Sequence, residues 1–154
     1  MGCGFKMLQL LQPGDFGATR DVEWSDDLAI IPRMPFEVRI ARTFCASHQV
    51  RMYDGELEPL HGHNWNVIVT VGADNLDGAG FVVDFHDLEQ QVGAILAGMN
   101  NRHLNDLHAF SRLNPSTENV AFYIAGALRL ADQTRLLSVE VTEAPGCSAV
   151  YRPG

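Results

Sequence analysis

Long apolar runs, paired cysteines and an excess of positive charge are all missing from this 154-residue chain. No stretch holds the roughly 20 consecutive apolar residues that a membrane-spanning helix needs. The opening "MGCGFKMLQLLQPG" has neither the apolar core nor the cleavage site of a signal peptide. Gly2 stands where a myristoylation signal would place it, but Lys6 occupies the position that wants Ser or Thr. Cys3, Cys45 and Cys147 form no CxxC pair, which fits a reducing compartment and gives no disulfide framework. Acidic residues outnumber basic ones 19 to 11, for a formal charge of −8. That balance excludes the basic footprint of a nucleic-acid binder. It also disfavours a highly anionic substrate unless a local basic pocket overrides the average. Together these absences predict a cytoplasmic protein with a small-molecule partner, no nucleic acid and no membrane.

What is present is an ordinary globular composition, 46% apolar and 19% charged, with no repeat and no low-complexity tract. The length suits one domain. Residues 1–33 mix Gly, Pro and Asp with weak periodicity and read as an N-terminal extension. Pro32 and Pro35 mark its junction with a domain spanning 34–154, and Met34 is an alternative start. From Phe36 the pattern sharpens. "FEVRIARTFCASH" puts Phe36, Val38, Ile40, Phe44, Ala46 and His48 on one parity, with Arg42 the exception, and predicts a strand. "HGHNWNVIVTVG" predicts a second, with His61, His63, Trp65, Val67, Val69 and Val71 on one side. "GADNLDGAG" carries hairpin chemistry and leads to "FVVD", a short third strand.

Asp84 reads as a helix cap, followed by Phe85, Leu88, Val92, Ile95, Leu96 and Met99 at helical spacing. Gly98 and the two asparagines after Met99 end that helix. Ser116 caps a second one, striped by Val120, Ile124 and Leu128. "LLSVEVTEA" and "SAVYR" are closing strands. The order β-β-(β)-α-α-β-β predicts an α+β domain with two helices on one face of an antiparallel sheet.

Residues i and i+2 of a strand point the same way, so His61 and His63 can reach one ion. His48, on the inward parity at the end of the preceding strand, is the candidate third ligand. Three neutral imidazoles with one open position suit a catalytic zinc, and nitrogen ligands also admit iron, nickel or copper. His86 and His108 read as surface residues. Strand parity turns Cys45 away from the metal, as a small core residue. Cys147 lies on a loop four residues past Glu143.

The segments "FCASH", "EPLHGHNWNV", "GFVVDFHDL", "HLND", "NPSTENVA" and "VEVTE", ending at Tyr151, resemble the 6-pyruvoyl-tetrahydropterin synthase family. That family includes the 6-carboxy-tetrahydropterin synthases of deazapurine (queuosine) biosynthesis. The resemblance runs from about Phe36 to Tyr151. It implies a T-fold, closed into barrels by trimers that stack as homohexamers. It places zinc on His48, His61 and His63, and a pterin-anchoring carboxylate on Glu143. Thr142 is a candidate extra hydroxyl contact.

The chain departs from the family at the proton-handling positions. Leu57 stands where the family has a cysteine base. Asn100 and Asn101 stand where it has an Asp-His pair, and amides do not titrate. Loss of base and acid together disfavours the usual synthase reaction. Glu58, in "EPLHGH", matches an E-x-L-H-G-H arrangement found in members that cleave the side chain of dihydroneopterin-type substrates. Glu58 is therefore the candidate base of a zinc-dependent lyase on a folate precursor, with Glu56 as the weaker choice. His103 is a candidate acid. Two other readings stand beside it: a 6-carboxy-tetrahydropterin synthase, and an inactive homologue that binds zinc and pterin.

Overall fold

Alternation becomes a strand from the first residue of the part that the computed structural model describes, residues 36–154. The expected extension at 1–33, with Cys3 and the junction prolines, lies outside the described residues. Strands β1 (Phe36–His48) and β2 (His61–Ala73) form a long antiparallel hairpin. Their register sets His48 opposite His61 and Ala46 opposite His63. Ile40, Phe44, Ala46 and His48 of β1 are buried with Trp65, Val67, Val69 and Val71 of β2, as the parity predicts. Arg42, the exception in that parity, is half-buried and reaches Glu89 at 2.7 Å.

Helix α1 (Phe85–Ala97) starts where the Asp84 side chain accepts the His86 N–H. It buries Leu88, Val92 and Leu96 against the sheet, while Phe85 stays exposed. After it, β3 (Arg102–His103) is a two-residue strand that pairs parallel with β1. Two short 3-10 turns follow, at Leu104–Asp106 and His108–Phe110. Helix α2 (Thr117–Ala127) is capped by Ser116 and buries Val120, Ala121 and Ile124. Strands β4 (Arg135–Ala144) and β5 (Cys147–Tyr151) complete a five-stranded sheet of order β3-β1-β2-β4-β5. The α+β expectation and its element order hold. Burying one complete Leu or Ile side chain in this layer contributes about 1.5–3 kcal/mol. On the opposite face Glu37, Arg39, Ala41, Thr43, Asn64 and Asn66 are exposed, while Thr70 is buried.

Three local expectations change. "FVVD" forms no strand. The loop before it closes on Asp77, whose carboxylate accepts the N–H groups of Ala79 and Phe81, both at 2.8 Å. Val82 is buried and its carbonyl accepts the Thr134 hydroxyl, so apolar residues that plug the core from a loop imitate a strand pattern. Cys45 does face away from the histidines, but it is exposed rather than packed in the core. The strand β3 was not expected; it forms because the asparagines before it latch onto β1. Asn100 Oδ1 accepts the Cys45 N–H at 2.9 Å, and the Asn101 N–H donates to the Cys45 carbonyl at 2.6 Å. Asn101 has φ 57°, a left-handed conformation that Asn tolerates better than most residues.

Urea unfolding tests this latch. Asn101→Gly is expected to leave stability unchanged or slightly higher, whereas Asn101→Val should lower it by about 1–2 kcal/mol through the strained backbone. Asn100→Ala should cost about 1 kcal/mol by orphaning the Cys45 N–H.

Candidate metal centre

The hairpin register decides the geometry of the site. His48 ends β1, His61 begins β2, and His63 lies two residues further along the same face. Trp65 continues that face as a floor. It is fully buried, its Nε1–H donates to the Ala46 carbonyl at 3.1 Å, and its ring meets His48 and His63 edge-on at 4.8 and 5.6 Å. Glu143 follows the Asn66–Thr142 pair on β4 and shares the inward parity of Val139 and Val141. Ligand atoms of His48, His61, His63 and Glu143 all lie within 4.8 Å of one another.

Backbone carbonyls orient the rings. The Pro115 carbonyl stands 2.8 Å from His48 Nδ1, and the Pro59 carbonyl 2.7 Å from His61 Nδ1. A carbonyl only accepts, so each Nδ1 carries the hydrogen and each neutral ring turns a lone pair on Nε2 inward. Burial pushes the His48 pKa below the ordinary value of 6.5, against the opposing pull of the Pro115 carbonyl and Glu143. The neutral ring is the form that ligates metal.

The inward atoms face other acceptors. Glu143 Oε1 stands 3.1 Å from His63 Nε2 and 3.5 Å from His48 Nε2. Both nitrogens are buried without a hydrogen-bond partner. Glu58 Oε1 stands 3.7 Å from His61 Nε2. Lone pairs gathered this closely repel unless a proton or a cation lies between them. Three imidazoles with a carboxylate beside them could hold one divalent ion and leave a position open, with the partnered Nδ1 atoms of His48 and His61 as outer support.

The other predicted residues separate cleanly. Glu58 is held hard: its carboxylate accepts the Val50 N–H at 2.8 Å, and its own N–H donates to the Val50 carbonyl at 3.0 Å. Glu56 and Leu57 are exposed, and Leu57 pairs with Arg51 across the loop. Asn100 and Asn101 sit at Cys45, on the exposed side of β1. His103 is half-buried, with Nδ1 3.4 Å from the Ser47 hydroxyl on the edge of the sheet. Thr142 has the opposite strand parity to Glu143 and turns to the other face. Cys147 is exposed at the start of β5, across a tight turn with Gly146 at φ 83°. His86 and His108 are exposed as expected.

Two contributors were not foreseen. Thr117, at the first turn of α2, donates its hydroxyl to Glu143 Oε2 at 2.5 Å. Pro115 supplies the carbonyl behind His48. Both lie in "NPSTEN", whose helix-start signal was legible while its second task was not.

Fold and site together define an α+β domain with a histidine-carboxylate cluster able to hold a metal ion. The chain belongs to the 6-pyruvoyl tetrahydropterin synthase family, whose sequence model matches residues 37–154. It is 32% identical over 128 residues to the 6-carboxy-5,6,7,8-tetrahydropterin synthase of Bacillus subtilis, covering 77% of this chain and 86% of that protein. It is 33% identical over 87 residues to the dihydroneopterin monophosphate aldolase of Pyrococcus furiosus, covering 56% and 69%. The structure of Caenorhabditis elegans 6-pyruvoyl tetrahydropterin synthase matches with a TM-score of 0.67 at 22% identity, over 80% of this chain and all of that one. The T-fold expectation is thereby met.

Replacing His63 by Ala should weaken retention of an added divalent metal against a chelator by more than the ~10–100-fold typical of outer-shell losses. Competition with a chromogenic chelator reads this directly. The stability that neutral, buried His48 gives the metal-free chain is complete above 6.5 and is lost as the pH falls through its lowered folded value. The melting temperature in chelator should therefore be lower near pH 5 than near pH 7.5.

Proposed function

We propose that this chain is a zinc-dependent lyase that cleaves the side chain of a dihydroneopterin-type substrate to 6-hydroxymethyl-dihydropterin. One observation carries the reading: Glu58 Oε1 is fixed by the Val50 N–H and stands 3.7 Å from His61 Nε2. A carboxylate is thus held at the edge of the cation site, on the loop where the family's cysteine is replaced by Leu57. The likeness to an aldolase of the same family supports it further.

Bound zinc would be held by His48, His61 and His63, and would supply Lewis-acid polarisation of the side-chain hydroxyls. Glu58 takes the proton of the C2′ hydroxyl. The C1′–C2′ bond breaks, C2′ leaves as an aldehyde carbon, and the electron pair passes into the ring imine. A proton then returns to C1′, with Glu58 again in reach. Glu143 receives the 2-amino-pyrimidinone edge of the ring, its carboxylate oriented by Thr117. The exposed sheet face suits assembly as a dimer of trimers, where closure covers what one chain leaves open.

The likeness to the Bacillus subtilis enzyme favours a 6-carboxy-tetrahydropterin synthase as the second reading. Against it, Asn100 and Asn101 are occupied with the backbone of Cys45. Zinc-loaded protein incubated with dihydroneopterin, its phosphates and sepiapterin separates these readings. A 6-hydroxymethyl product is expected. A 6-carboxy product would favour the synthase, and tight pterin binding without product an inactive homologue. Glu58→Gln should lower turnover by about 10²–10⁴-fold with zinc content unchanged; retention of activity would remove Glu58 from the role of base.

A further inference from the structure

Of the four residues in the metal cluster, Glu143 alone falls outside regular strand pairing. Along β4 and β5 the register passes from Thr142–Ser148 to Ala144–Cys147, which leaves Glu143 as the extra residue of a β-bulge. The pairing of β4 with β2 ends one residue earlier, at Asn66–Thr142. A bulge loosens the ladder locally and re-aims a side chain, and bulges gather beside active sites. The histidines are placed differently. All three lie in the unbroken β1–β2 register, and backbone carbonyls hold the rings of His48 and His61.

The Glu143 carboxylate faces two ways. Its Oε2 accepts the Thr117 hydroxyl at 2.5 Å. Its Oε1 stands 3.1 Å from His63 Nε2 and 3.5 Å from His48 Nε2. A tetrahedral zinc with bonds of ~2.0–2.1 Å sets its ligand atoms roughly 3.3–3.4 Å apart. Oε1 thus stands at the edge length of a coordination tetrahedron, where three imidazoles leave a position open. The same carboxylate is the one that would receive the 2-amino-pyrimidinone edge of a pterin. A substrate whose side chain lies at the metal carries that edge a full bicyclic ring away, much further than 3.1–3.5 Å. One position of Oε1 cannot serve both roles.

We propose that Glu143 is a displaceable fourth ligand, bound to the cation while the pocket is empty and drawn off it by the ring edge of an arriving pterin. The position it gives up is the one that the side-chain hydroxyls need. The bulge supplies the freedom to move, and the side chain, 24% exposed, has open space to move into. The cation is screened from water and stray anions until the ring is seated. The inference rests on the pterin-lyase reading only for the identity of the displacing molecule.

Cobalt(II)-loaded full-length protein reports the exchange through its visible absorption, with no turnover required. Thiocyanate probes an open metal position. 6-Methylpterin probes the ring edge, since it offers Glu143 a 2-amino-pyrimidinone and offers the metal no hydroxyl. Thiocyanate should bind Glu143→Gln about tenfold or more tighter than the wild type, because apparent affinity scales with the fraction of open sites. Glu58→Gln removes a charge beside the same cluster and should change that affinity far less. In the wild type, 6-methylpterin should alter the cobalt spectrum and strengthen thiocyanate binding by about fivefold or more. Thiocyanate should strengthen pterin binding by the same factor. Glu143→Gln should abolish this coupling, and the coupling in unaltered protein decides the matter if that variant fails to fold. Equal gains in thiocyanate affinity in the two glutamine variants would reduce the effect to charge and overturn the exchange. A cobalt spectrum indifferent to bound 6-methylpterin would overturn it as well. The two readings fail separately: coupling without cleavage of dihydroneopterin would sink the lyase and keep the exchange. Cleavage without coupling would do the reverse.

Discussion

Acceptor atoms crowd one small volume at the end of the β1–β2 hairpin, and the rest of the site is arranged around that electrostatic problem. His48 and His61 each give their only hydrogen outward, to Pro115 and Pro59, so their lone pairs turn inward. Glu143 adds a carboxylate oxygen to the same space. Unpartnered polar atoms of this kind are costly in a buried setting, and a cation held between them would offset that cost. The remaining features follow. Trp65 fills the floor and keeps the rings edge-on to it, Thr117 fixes the carboxylate, and the lowered proton affinity of His48 leaves its nitrogen available.

Rigidity in the neighbouring loop comes from side chains instead of strands. The run from Gln49 to Arg51 is bound on one side by Asn105 and Asn114 and on the other by Glu58. Side-chain amides that satisfy both a backbone donor and its acceptor reproduce strand pairing without a strand. Such a loop holds the Glu58 carboxylate in a fixed position beside His61.

Much of this was legible before the structure. Strict period-two patterning identified β1 and β2 and put three histidines on one face, because inside and outside of a two-layer fold are separated by exposure alone. The caps at Asp84 and Ser116 announced their helices through local chemistry. What escaped detection depends on long-range contact. "FVVD" has the apolar content of a strand and only its docking against Thr134 shows otherwise. The strand β3 is two residues long and exists through the Asn100 latch, which no local pattern encodes. The family resemblance named both Glu143 and Thr142, and the β2–β4 register then turns Glu143 toward the histidines and Thr142 away. Thr117 and the Pro115 carbonyl serve the site from a helix start, a place where sequence signals speak of capping and hide any second duty.

The two ends of the connection at residues 49–60 are His48 before it and His61 after it, both members of the cluster that could hold a metal ion. The residues that could hold an ion therefore also close the mouth of that hairpin. Diversification of chemistry within such a scaffold is then a matter of re-lettering one short bridge between two fixed piers.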